Sequence, residues 1–315
     1  MAQIGTDIST AIAHLQANDV VGMPTETVYG LAGNALQEQS ITKIFEVKRR
    51  PRFDPLIAHI GHVDQLDELV TQVPDKARLL ADRFWPGPLT LLLPKRSLVP
   101  ELLTSGSERV AIRMPNHPLA LTLLQTLSFP LAAPSANPFG YVSPTTAQHV
   151  ADQLGPDIPY ILNGGACSIG LESSIVGFEG TDAVVYRLGG LPLEQIEATI
   201  GPVRIHLNKS SNPQAPGMLK SHYAPGKKVI LGQIPELIRA HGHQKVGIIS
   251  FQQNFGDFPQ FVLSPSGNMQ EAAANLFRAL REMDQQDIDI LLAERVPEEG
   301  LGKAINDRLE RAAAE

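Results

Sequence analysis

Cysteine is nearly absent. The 315-residue chain holds one, Cys167, so no disulfide can form within it. A reducing compartment suits such a chain. No stretch approaches the roughly 18 uninterrupted apolar residues of a membrane span. The opening residues show no basic start followed by an apolar run. An excess of positive charge is missing too: 26 Lys and Arg face 33 Asp and Glu, a formal net charge of -7. That balance excludes a general nucleic-acid coat protein and makes any RNA contact local. Several signatures are also absent: the GxxxxGK[ST] phosphate loop, GxGxxG after a strand, HExxH, paired CxxC and GxSxG. Their absence argues against a P-loop enzyme, a zinc site and a nucleophile-elbow hydrolase. The expectation is a cytoplasmic protein with no membrane partner and no metal site of its own.

What is present is a globular composition, 43% hydrophobic and 19% charged, at a length that suits two domains. Residues 7–17 place Ile8, Ala11, Ile12 and Leu15 on one helical face. Residues 20–23 read as a short buried strand ended by Pro24. Ser40 is expected to cap a helix carrying Ile41, Ile44 and Phe45, which must stop before Pro51. Further strands are expected at 56–60, 89–93, 110–114, 160–162, 174–178 and 183–187, with helices near 75–83, 117–127 and 145–154. This alternation predicts an α/β domain with one large twisted sheet over residues 1–207. Residues 208–216 are polar and rich in Pro and Ser, which reads as a linker. Beyond it, strands at 228–231, 246–249, 261–263 and 288–292 alternate with helices at 235–241, 269–283 and 303–313. They predict a small doubly wound, Rossmann-like domain over 227–315.

Several segments have the chemistry of a binding site. Residues 24–31, with Thr25, Glu26 and Thr27, follow the first strand; alone they read as a capped strand-to-helix turn. Lys48, Arg49, Arg50 and Arg52 put four cations within five residues, on a loop stiffened by Pro51 and Pro55. A rigid cationic loop suits phosphate, and this loop carries more charge than a helix C-terminus needs. His59 follows within the next strand. Arg113 shares a strand face with Ala111, and a buried arginine needs an anion: an internal carboxylate or a ligand carboxylate. Residues 132–137 are small, which lets a ligand approach backbone amides. Ser143-Pro144 resembles a helix start, with Ser143 as cap. Asn163-Gly164-Gly165, Glu172-Ser173-Ser174 and Arg187 complete the set.

The ordered segments PTETVYGLAGNA, KRRPRFDPLIAHI, FWPGPLTLLL, VAIRMPNHP, PLAAPSANPFGYVSPT and ESSIV closely resemble the YrdC/Sua5 family, the threonylcarbamoyl-AMP synthases. APGMLKSHYAP and GLGKAINDRLERA resemble its long, two-domain form. The resemblance implies a YrdC-like twisted mixed sheet with a deep concave site. It implies that L-threonine, bicarbonate and ATP, with Mg2+, give threonylcarbamoyl-AMP and pyrophosphate. Downstream proteins then transfer the group to adenosine 37 of tRNAs reading ANN codons, with direct tRNA contact possible here. It implies that Thr27, His59, Arg113, the Ala133 backbone and Ser173 hold threonine, with Arg113 on its carboxylate. Arg50, Asp54, Arg109, Ser135, Ser143 and Arg187 would surround the nucleotide, Lys48 and Arg50 would serve the phosphates, and Tyr223 would close over ATP from the linker, residues 208–226. The chain departs from the family pattern at Asp54, where Asn is usual, at Arg109, where Thr is common, at Ser174, where Thr is usual, and at Leu188-Gly189-Gly190. An RNA-binding module without catalysis is the alternative.

Overall fold

The computed structural model describes residues 1–207 and 223–314. Most of the expected linker therefore lies outside the described residues. Eleven strands form the first sheet: β1 (Gln3–Gly5), β2 (Val21–Met23), β3 (Gly30–Asn34), β4 (Ile57–His59), β5 (Leu89–Pro94), β6 (Arg109–Arg113), β7 (Leu131–Ala132), β8 (Tyr160–Leu162), β9 (Ser174–Glu179), β10 (Asp182–Arg187) and β11 (Arg204–Ile205). Their spatial order is β1-β8-β2-β3-β7-β4-β6-β5-β9-β10-β11, with parallel and antiparallel pairs mixed. The second sheet holds β12 (Lys228–Leu231), β13 (Val246–Ser250), β14 (Gln260–Val262) and β15 (Ile290–Ala293) in the order β12-β15-β13-β14, all parallel.

Local chemistry sets these elements. Asp7 caps the first helix, Ile8–Gln16, by accepting the amides of Ser9 and Thr10 at 3.2 and 3.0 Å. Ala11 and Leu15 face the core from it. Helix Glu38–Lys48 begins earlier than its sequence suggests. Gln37 occupies the cap position, and Ser40, inside the helix, gives its hydroxyl to the Asn18 carbonyl instead. Ser143 is no cap either. Helix Ala147–Leu154 starts beyond it, and Thr146 caps it through the His149 amide.

Residues 24–31 lead not to a helix but back along β2 as the antiparallel strand β3. Glycine and alanine are poor strand formers, which hides β3 in the sequence. Their smallness is required by packing. A Cβ on Gly30 would lie 3.0 Å from the Ala133 Cβ.

The main core packs Ile41, Ile44, Leu80, Leu91, Ile112 and Val150 around the sheet. A second core joins the two halves of the chain: Val28, Val142 and Leu171 pack with Leu276, Phe277, Leu280, Ile305 and Leu309. Each such buried side chain contributes roughly 1.5–3 kcal/mol, so this junction holds the second sheet firmly against the first. Among the described residues no helix is long and apolar enough to cross a membrane.

Candidate active site

The turn after β2 is held from inside by Thr25. Its hydroxyl donates to the Val28 carbonyl at 2.6 Å and accepts the Thr27 and Val28 amides, both at 3.2 Å. This presents Thr27 to the end of β6, where Arg113 donates to its hydroxyl at 2.8 Å. Arg113 is further fixed by the Gly87 carbonyl at 3.3 Å and by Glu26, whose Oε1 lies 2.6 Å from Nη2. The anion demanded by a buried arginine is thus internal. Both Glu26 oxygens nevertheless lack an aligned hydrogen bond among the described residues.

Register places His59 of β4 directly beside Arg113 of β6, so both side chains leave the same face of the sheet. The Ile57 carbonyl lies 3.2 Å from Nδ1 and orients the ring. Burial, reinforced by the Arg113 charge, pushes the His59 pKa down to about 3. The imidazole is neutral at neutral pH.

The cationic loop divides into inner and outer halves. Helix Glu38–Lys48 ends at Arg49 in a left-handed turn, φ 52°. Arg49, Arg52 and Phe53 face solvent, while Lys48, Arg50 and Asp54 are buried. Arg50 donates to the Asp54 and Pro55 carbonyls at 3.0 and 2.9 Å and pairs with the Asp54 carboxylate at 2.8 Å. Burial pushes the Asp54 carboxyl up, opposed by Arg50, Lys48 and Arg187. Arg50 thus balances the carboxylate that stands at position 54, where the resemblance leads to an expectation of Asn. Lys48 does not line the cavity. Its ammonium donates to the Ser135 and Asn137 carbonyls and so holds the small-residue loop from behind. Burial, with Arg50 beside it, pushes its pKa well down.

On the opposite wall, Ser173 shares a 2.7 Å hydrogen bond with Thr90 of β5. Arg187, at the end of β10, donates to the Ser173 carbonyl at 2.9 Å and its hydroxyl at 3.0 Å. Burial lowers the Arg187 pKa to about 10, still charged at neutral pH. Ser143 donates to Glu172 at 2.6 Å, and Arg308 pairs with the other Glu172 oxygen at 3.0 Å. Arg281 donates to the Val142 and Ser143 carbonyls. Tyr223 is buried, stacked on Phe277 with ring centroids 5.4 Å apart.

These parts line one small cavity, about 50 Å3 in volume. Thr27, Arg50, His59, Arg113, Ala133, Ser135, Ser173, Arg187 and Tyr223 line it, as expected from the sequence. Asp54 and Ser143 stand behind lining residues. Arg109 is not brought in. It sits four residues before Arg113, roughly 13 Å along an extended strand, where it donates to the Tyr186 hydroxyl at 3.0 Å and lies over that ring.

Sequence reasoning named Glu26 and Glu172 only as parts of their segments and assigned no role to Arg281 or Arg308. A signal existed for the two arginines. Ile305, Arg308, Leu309 and Ala312 share one helical stripe, as do Leu276, Phe277, Leu280 and Arg281. A charge inside an apolar stripe marks a buried, partnered group.

Residues 13–189 match the Sua5–YciO–YrdC family model, described as "Telomere recombination". Residues 191–314 match the model described as "Threonylcarbamoyl-AMP synthase, C-terminal domain". A threonylcarbamoyl-AMP synthase of Pyrococcus abyssi is 44% identical over 97% of this chain and 94% of its own length. One from Bacillus subtilis is 41% identical over 97% and 92%. The crystal structure of P. abyssi Sua5 complexed with L-threonine superposes with a TM-score of 0.92 at 43% identity, covering 97% of this chain and 94% of that one.

Proposed function

The chain belongs to the Sua5/YrdC family of threonylcarbamoyl-AMP synthases, and from that premise we propose that its cavity joins L-threonine, bicarbonate and ATP into threonylcarbamoyl-AMP and pyrophosphate. The observation that carries this reading is the convergence of Arg50, Arg113 and Arg187 with His59, Thr27, Ser135 and Ser173 on one buried cavity. Three guanidinium groups, two of them already paired with Asp54 and Glu26, offer fixed donors to phosphate and carboxylate oxygens.

Threonine takes the end formed by Thr27, His59, Arg113, Ala133 and Ser173. Arg113 and Glu26 together are neutral, which matches a zwitterion better than a bare cation would. The neutral His59 adds no charge and is suited to hydrogen bonding. ATP lies toward Arg50, Ser135 and Arg187, with Tyr223 closing over it; Asp54 and Ser143 support this half, and Lys48 fixes the Ser135 carbonyl. Arg109, held by Tyr186 outside the cavity, is given no part in binding the nucleotide.

The threonine amine bonds to the carbon of bicarbonate, whose C–O bond breaks with loss of water, the amine giving up a proton, and a carbamate results. A carbamate oxygen then attacks the α-phosphorus, and pyrophosphate leaves. No protein nucleophile enters, so rate comes from positioning and charge stabilisation in a dry site. Mg2+ is assigned as part of the MgATP substrate. Asp54, Glu26 and Glu172 are each committed to an arginine, so these carboxylates do not fit a metal held by the protein.

We assign residues 1–207 as the catalytic unit, 208–226 as a linker and 227–315 as the second domain. The C-terminal family match, which starts at 191, takes in the last part of the first sheet. The single buried thiol suits the cytoplasm. Downstream proteins would pass the group to tRNA, and exposed Arg49, Arg52 and Phe53 beside the cavity are the contact this surface offers to RNA.

Pyrophosphate release that requires both threonine and bicarbonate is the test. Release without either one would refute the reaction. In the same assay Arg113→Ala is expected to raise KM for threonine about tenfold or more and Arg50→Ala to do so for ATP, each well above its effect on the other substrate. Equal effects on both substrates would remove the division of the site.

A further inference from the structure

Helix Gly302–Ala312, the last element of the chain, delivers one side chain to the back of the cavity wall. Arg308 is fully buried. Its Nε lies 3.0 Å from Glu172 Oε2, and its Nη2 donates to the Leu188 carbonyl at 2.8 Å. Its Nη1 pairs with Asp307 at 2.8 Å, a carboxylate it shares with Arg311. The guanidinium also lies 5.1 Å above the Tyr223 ring. Glu172 and Tyr223 both line the cavity, and Leu188 follows the lining residue Arg187. One arginine of the second domain thus touches two walls of the site and the backbone beside a third.

Charge gives this arrangement its purpose. Glu172 is a carboxylate in the wall of a cavity assigned to a polyphosphate. Left bare, it would repel the nucleotide, and a buried carboxylate stripped of its partner is strongly unfavourable in itself. Ser143 supplies a hydrogen bond but no charge. Arg308 supplies the charge and holds the tyrosine that borders the same space.

We propose that Arg308 is a positioning residue for the nucleotide, through which the C-terminal domain completes the active site by neutralising Glu172 and fixing Tyr223. This rests on the assignment of ATP to the cavity. The second domain is then an electrostatic component of the catalytic unit.

The test uses the full-length chain and steady-state pyrophosphate release. Arg308→Met is expected to raise KM for ATP about tenfold while KM for threonine moves less than about threefold. Adding Glu172→Gln to that variant removes the stranded charge and is expected to recover at least about threefold of the loss. Arg308→Lys, which keeps the charge without the fork, should fall between. A silent Arg308→Met, or a loss shared equally by both substrates and not relieved by Glu172→Gln, overturns the proposal. Should Arg308→Met fail to fold, Arg308→Gln alone and combined with Glu172→Gln replace it: the double variant leaves no charge stranded, and failure to recover ATP KM relative to Arg308→Gln overturns the idea. Arg50→Ala run alongside separates the two readings: if it leaves KM for ATP unchanged, the nucleotide assignment itself has failed.

Discussion

Burial, two nearby charges and two backbone contacts decide how His59 responds to acid. Its folded pKa is pushed down to about 3 from an ordinary 6.5, first by burial and then by Arg113, against the pull of the Ile57 and Leu131 backbones. The unfolded chain binds a proton near pH 6.5 that the folded chain refuses. Stability from this residue is therefore complete above pH 6.5 and is lost as pH falls toward 3. Between pH 7 and pH 5 the loss is about 2 kcal/mol. Urea unfolding at both values should show His59→Gln to be less acid-sensitive by that amount. Equal pH dependence in the variant and the parent would show that His59 is not held neutral. His149, lowered to about 4 chiefly by burial, acts in the same direction but is less enclosed.

At the scale of elements, the sequence disclosed strands rich in branched residues and concealed those made of small ones. Val21–Met23, Leu89–Pro94 and Tyr160–Leu162 were legible because apolar runs bounded by turns have few other uses. Gly30–Asn34 was not, because nothing in Gly-Leu-Ala-Gly-Asn favours a pleat. Its strand character is imposed by Val21–Met23 on one side and Leu131–Ala132 on the other. Site residues followed the same division. Arg50, His59, Arg113 and Arg187 could be picked out because a charge or imidazole in a short apolar strand or stiff loop needs a reason. Arg109 could not be excluded, since adjacency along a strand does not reveal which residues share a pocket. The tight contact of β3 gives a prediction. Gly30→Ala sets a methyl 3.0 Å from the Ala133 methyl, so residues 133–135 must move by a few tenths of an ångström. KM for threonine should rise severalfold with a stability loss of about 1 kcal/mol. Ala133→Gly added to it should restore part of both. If the double variant is as poor as the single, steric transmission from β3 is not the cause.

At the scale of the whole molecule, the two sheets meet through a short segment that tolerates little change. Gly170 has φ 73°, and a Cβ there would come within 2.5 Å of the Ala274 Cα in helix Met269–Asp284. Gly165 has φ 81° but open space around it. Gly165→Ala should cost only the backbone term, about 1–2 kcal/mol. Gly170→Ala should cost visibly more, because the second domain must shift as well. Urea unfolding of both variants measures the difference, and equal losses would mean that the junction yields easily.

The apolar junction has a consequence for anyone who wishes to dissect the protein. Severing the chain near Ile205 would leave Val28, Val142 and Leu171 naked, an oily scar that invites self-association. A shortened catalytic fragment therefore needs those three positions repainted with hydrophilic side chains, together with a substitute counter-charge for Glu172, before its behaviour can be compared with that of the parent.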